Sequence, residues 1–264
     1  MPVRFAAILC GIVLFSPFSR AADEKVEEVR TPPPSDTFLV LPIRVHILTS
    51  RELPEIDCQL EVADIARIYA KANRIWHHAG IHLGVESIVY EPAVKQNRFK
   101  LARDLDGRAN LGMYRMLFPD SSRTFVGVHA YYLHRFPVNG VWLGGDEVLV
   151  QATARLREVE GGIDEPVPRV TAHELGHVLG LAHRQDRINL LASGTTGTSL
   201  NTREVETARA AAVRKYQAKG LEELRGAASE AEKRGDSARA ARLRAWLGQI
   251  ASANGASTSR AAGD

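Results

Sequence analysis

The sequence predicts an α+β fold, a sheet layered with helices, and three observations carry that reading. Over residues 37 to about 183, short β-branched and apolar runs alternate with segments whose apolar residues recur at helical spacing. Of 264 residues, 45% are hydrophobic and 25% charged. That balance suits a globular chain able to bury a sizeable core, and it excludes collagen, a membrane bundle and disorder throughout. The net charge of +3 is mild, and the basic residues are not gathered with interleaved aromatics, so no nucleic-acid groove is expected.

Arg4 precedes an apolar run from Phe5 to Phe18, and the chain then reads Ser19-Arg20-Ala21. About 14 apolar residues fall short of the roughly 20 that span a bilayer, so residues 1–21 read as a secretory signal cut after Ala21. The expected location is secreted or periplasmic, with no stable membrane insertion after cleavage. Cys10 follows Leu9, a poor context for lipidation. Its removal leaves Cys58 alone, which rules out an internal disulfide and makes Cys58 a buried structural thiol.

Residues 22–36, charged and then rich in proline (Pro32, Pro33, Pro34), form an extended N-terminal linker. Phe38 to Leu48 reads as a first strand. Ile65, Ile68, Ala72, Ile75, Trp76 and Ala79 then lie at helical spacing, with Gly80 as the C-terminal cap. Ile81 to Tyr90 is extended and Leu101 to Leu117 helical, with Met113 and Met116 on a core face. Thr124 to Leu133 is a strand with Val126, Val128, Ala130 and Tyr132 on one side. Turn signals at Asn139-Gly140 and Gly144-Gly145 bracket Val141-Trp142-Leu143 before Val148 to Ala152, which suggests a hairpin with one strand at a sheet edge.

From Asn201 the chain turns rich in Ala, Arg and Glu. Asn201 and Glu204 stand as a capping pair, with Val205, Ala208, Ala212, Val213 and Tyr216 on one apolar face. Two further helical patterns over residues 218–250, broken at Gly235, predict a small helical hairpin, and residues 251–264 predict a disordered tail. The Arg234-Gly235-Asp236 tripeptide suits the turn between those helices and needs no adhesive role.

The chemistry concentrates in His173-Glu174-Leu175-Gly176-His177-Val178-Leu179-Gly180-Leu181-Ala182-His183. Two histidines four apart share one helix face and can reach a single ion. Glu174 leaves the helix roughly 100° around from His173, beside the ion and not on it, which suits a general base. Gly180 can take a positive φ and end the helix, so that His183 approaches from another direction. Three neutral imidazoles leave a fourth position open, whereas structural zinc sites close it. By composition alone, five such positions would coincide with a probability on the order of 10⁻⁴ or less. The remaining histidines (His46, His77, His78, His82, His129, His134) show no second set with ligand spacing and read as surface or strand positions.

This string resembles the metzincin clan of zinc endopeptidases, whose signature is H-E-x-x-H-x-x-G-x-x-H followed by a methionine-containing turn. The resemblance covers roughly residues 37–217 and is strongest from Thr171 to about Gly197. It implies a twisted mixed sheet, an active-site helix, and a small lower subdomain after Gly180. It also implies Zn2+ held by His173, His177 and His183, with Glu174 catalytic. Leu191 occupies the methionine's place, a near-conservation of volume at an apolar floor. Arg184, at the position that marks subfamilies, fits no well-known group, and the turn carries no tyrosine; Asp186 and Asn189 are placed to brace it. The expected function is a secreted zinc-dependent endopeptidase acting on a protein or peptide that lies along the edge strand within Val141 to Val150. The alternative is a secreted binding module that keeps zinc for structure. Retained Glu174 argues for the first and Leu191 for the second.

Overall fold

The computed structural model describes residues 28, 29, 32–104 and 111–261, so residues 1–21 and most of the N-terminal linker lie outside it. The chain builds a sheet in the order β2-β1-β3-β5-β4 from β1 (Leu39–Thr49), β2 (Ile81–Pro92), β3 (Val128–Leu133), β4 (Gly140–Trp142) and β5 (Glu147–Gln151). The first four neighbours in that order run parallel, and only β4 is antiparallel, on β5. The mixed sheet predicted from the sequence is therefore present, with β4 at its edge. A two-residue strand, β6 (Lys219–Gly220), adds antiparallel to the start of β1.

Parallel neighbours need crossovers, and the helix that joins β1 to β2 buries one sheet face together with a later helix. α1 (Val62–Trp76) turns Ile65, Ile68, Ala72 and Ile75 inward, continues as a 3-10 turn, and ends at Gly80 with φ 62°. Beside it lies α3 (Pro166–Val178), which is buried over most of its length. Val45, Ile47, Val128, Ala130 and Tyr132 meet these helices in the main core. The opposite face, with Leu48, Tyr131, Leu133 and Leu149, is covered by α2 (Asn97–Asp104) and a 3-10 stretch over Leu111–Leu117. That stretch replaces part of the helix predicted over Leu101 to Leu117. Met113 packs on this second core while Met116 is exposed.

Val126, expected on a strand face, is 78% exposed because β3 starts only at Val128, after a 3-10 turn that ends at Thr124. α4 (Thr202–Tyr216) opens on the Asn201–Glu204 capping box; Val213 faces solvent, and Ala211 takes its place in the core. α5 (Leu221–Lys233) and α6 (Ser237–Ala261) close the fold. Leu224, Ala228, Leu243, Trp246 and Ile250 pack with Phe38 and Val40 at the start of β1. α6 runs on through residues assigned to a disordered tail, since alanines at 251, 253, 256 and 261 favour helix. Val29 N–H donates to the Leu200 carbonyl, so the described part of the N-terminal arm lies along the body instead of hanging free. Among the described residues no helix is long and apolar enough to cross a membrane.

Candidate metal centre

α3 owes its position to contacts on every side. Tyr132 Oη lies 2.9 Å from Thr171 Oγ1, tying the helix to the sheet. Trp76 Nε1 donates to the Ala172 carbonyl, tying it to α1. The helix ends in a pair of bonds that a left-handed residue makes possible: Gly180, at φ 86°, donates to His177 O, and Leu181 donates to Gly176 O. The chain reverses there and delivers His183 to the face that carries His173 and His177.

The three histidines converge. Their Nε2 atoms lie 3.1, 3.1 and 3.3 Å apart, and they form a group that could hold a metal ion. Three tetrahedral ligands at 2.1 Å from one centre stand about 3.4 Å apart, so the triangle has the size of a zinc site. His173 Nδ1 is 2.7 Å from the Leu190 carbonyl and His177 Nδ1 is 2.7 Å from the Leu181 carbonyl. A carbonyl only accepts, so His177 Nδ1 carries the proton and its Nε2 presents a lone pair; at His173 Nδ1 the Leu190 carbonyl, at 2.7 Å, favours the same tautomer, while Arg169 Nη1, a donor 3.0 Å away, competes with it. Lone pairs facing one another at about 3 Å call for a cation between them. Burial, and next the Arg169 guanidinium, push His173 down to about 3, so the imidazole stays neutral and able to ligate. His177 is lowered too, again chiefly by burial.

Glu174 sits beside this triangle, 5% exposed. Burial raises its carboxyl to about 8, while the Trp142 backbone N–H and Arg169 oppose the rise. The β4 backbone thus holds the carboxylate from the sheet edge. No side chain fits between them, because a β-carbon at Gly140 would stand 2.7 Å from Glu174 Oε1 and 2.5 Å from Val170 Cγ1. The Trp142 ring, 43% exposed, lies near that of His177. A cleft of about 990 Å³ opens over the group between β4 and the segment after Gly180.

That segment is anchored in part by Arg169, which the sequence reading did not single out. Arg169, one turn before His173 and 1% exposed, donates to the carbonyls of Asn189, Ala192 and Gly197. A charged residue set between Pro168 and Val170, one turn before the first histidine, was the available signal. Glu204 accepts from Asn189 Nδ2, and Asn189 Oδ1 in turn accepts from Leu191 N–H, so the capping box of α4 also secures the turn. Asp186 Oδ1 accepts from Ile188 N–H, and with Asn189 it braces the turn as the sequence suggests. Leu191 is fully buried against α3, where a β-carbon at Gly176 would lie 3.3 Å from its Cδ1.

Cys58 is buried and free, and burial pushes its thiol up to about 11. The other histidines are less scattered than their spacing implies. His46 and His129, from adjacent strands, meet at 3.0 Å, and His46 Nδ1 is 2.9 Å from Glu91 Oε1. Among the described residues, only His173, His177 and His183 form a group able to hold a metal.

No protein-family model matches the sequence, and no curated protein matches it. Among solved structures, a crystal structure of archaemetzincin from Methanopyrus kandleri is similar at 17% identity and a TM-score of 0.43, over 69% of this chain and 99% of that one. Metalloproteinase-II from Bacteroides fragilis is similar at 10% identity and a TM-score of 0.38, over 68% of this chain and 55% of that one. A chaperone–substrate complex has a TM-score of 0.40 at 11% identity, over 66% of this chain and 34% of the other.

Proposed function

We propose that this chain is a zinc-dependent endopeptidase, with zinc held by His173, His177 and His183 and Glu174 as the general base. The observation that carries the reading is the convergence of three Nε2 atoms within 3.1 to 3.3 Å of one another, beside a buried carboxyl group at the edge of a sheet. Zinc bound there supplies a Lewis acid and makes water acidic enough to attack a carbonyl near neutral pH. β4, which has no strand on its outer side among the described residues, offers main-chain hydrogen bonds to an extended peptide. Glu174 takes a proton at a carboxylate oxygen from the attacking water and passes it to the departing amine. The Trp142 N–H keeps that carboxylate aimed while it does so. The Leu190 and Leu181 carbonyls hold the rings of His173 and His177 in the ligating tautomer. The apolar run from Phe5 to Phe18 supports export, and the reading includes a mature chain beginning near Ala22.

The test is a diverse peptide library incubated with the mature protein, with and without a zinc chelator, and with Glu174→Ala. Hydrolysis should vanish with the chelator. In Glu174→Ala it should fall by roughly 10²- to 10⁴-fold while zinc stays bound. An unchanged rate removes Glu174 from the mechanism. Absence of hydrolysis by the wild type returns the site to a zinc-stabilised binding module.

A further inference from the structure

A second hollow, of about 450 Å³, is lined by His134, Arg135, Asn139, Gln151, Thr153 and Arg155. It shares Asn139 and Gln151 with the lining of the metal cleft. Its walls are fixed by bonds among themselves. Asn139 donates through Nδ2 to the Arg155 carbonyl and accepts at Oδ1 from the Arg155 N–H. Gln151 Oε1 accepts from Phe136 N–H, and Thr153 Oγ1 donates to the His134 carbonyl.

What these bonds leave over is positive charge. Arg135 and Arg155 are exposed, and among the described residues neither guanidinium has a hydrogen-bond or ion-pair partner. No carboxylate lines the hollow. An arginine fork matches a carboxylate in shape and charge, and two of them beside a cleft that takes an extended chain form a recognition device.

The chain itself joins the hollow to the metal centre. Asn139 directly precedes Gly140, whose backbone lies against Glu174, and an extended peptide advances about 3.3 Å per residue. We infer that the hollow is a subsite for an acidic side chain, so that the preferred substrates are peptides carrying Glu or Asp within about three residues of the cleaved bond. This deepens the peptidase reading and rests on it.

The test starts from one peptide that the full mature zinc enzyme cleaves, with Glu, Gln or Lys placed in turn at each position on both sides of the bond. One position should show kcat/KM for Glu above that for Gln by about 2- to 10-fold, with Lys below Gln, as partly exposed ion pairs allow. The Glu/Gln ratio should fall toward one in the double variant Arg135→Gln, Arg155→Gln, and in 1 M salt. A ratio near one at every position overturns the subsite while leaving the peptidase reading standing. So does a ratio that survives the double substitution in a protein whose thermal unfolding matches wild type. If no peptide is cleaved, the peptidase reading falls and the subsite with it.

Discussion

Leu191 stands where the family that the sequence resembles carries methionine, and it fills that place with a buried apolar side chain. It is wholly buried beneath α3 at Gly176, between the turns that carry His173 and His177. Leu191→Met nearly keeps the volume and should change stability by less than about 1.5 kcal/mol with zinc affinity intact. Leu191→Ala opens a cavity, should cost about 2 to 5 kcal/mol, and should loosen zinc by letting the rings tilt. Thermal unfolding and competitive zinc titration of both variants check this; an alanine variant as stable and as tight as wild type would show that the floor bears no load. At this scale the sequence was most informative, because the histidines and Glu174 lie within eleven residues and their geometry follows from one helix and one glycine. Arg169 was not legible. Its partners Asn189, Ala192 and Gly197 arrive from at least twenty residues downstream, and nothing local announces them.

Among the elements, the edge strand matters beyond its proposed role as a rail for substrate. β4 approaches α3 closely only because residue 140 lacks a side chain. Gly140→Ala should push Glu174 off its Trp142 N–H and lower kcat by about tenfold or more, with zinc still bound, since catalytic groups tolerate little displacement. Steady-state kinetics beside a zinc titration measure it, and an unchanged kcat would show that the carboxylate does not depend on the strand. The hairpin itself was legible from Asn139-Gly140 and Gly144-Gly145, and α4 from its Asn201–Glu204 box, because caps and turns are local chemistry. Val126 and Val213 were misread for the complementary reason: periodicity marks an apolar position, but only the neighbouring elements decide whether anything covers it.

For the molecule as a whole, the C-terminal hairpin seals the first two strands. Trp246 lies over Gly84, and His82 Nε2 is 3.1 Å from Gln249 Oε1. Burial pushes His82 down to about 4, with the Gln249 bond opposing and His77 adding to the fall. Because the folded value lies below the unfolded one, the unfolded chain binds the extra proton first. The resulting stability is full above about pH 6.5 and is lost as pH falls toward about 4. Thermal midpoints should drop between pH 7 and 4.5, and less steeply in His82→Gln, which keeps a polar partner for Gln249; equal slopes would show that His82 does not couple the hairpin to pH. Strand order, the second core under α2 and the Leu111–Leu117 stretch, and the His46–His129 contact were not legible, since each joins segments far apart in the chain.

The central claim, three imidazoles around one zinc with a place left for water, is tested most directly by the zinc X-ray absorption spectrum of the stoichiometrically loaded protein. The account predicts three imidazole nitrogens and one further light atom at about 2.0 to 2.1 Å, no sulfur, and loss of stoichiometric zinc in His177→Ala. Four protein ligands, a sulfur at about 2.3 Å, or a full equivalent of zinc retained by His177→Ala would contradict it.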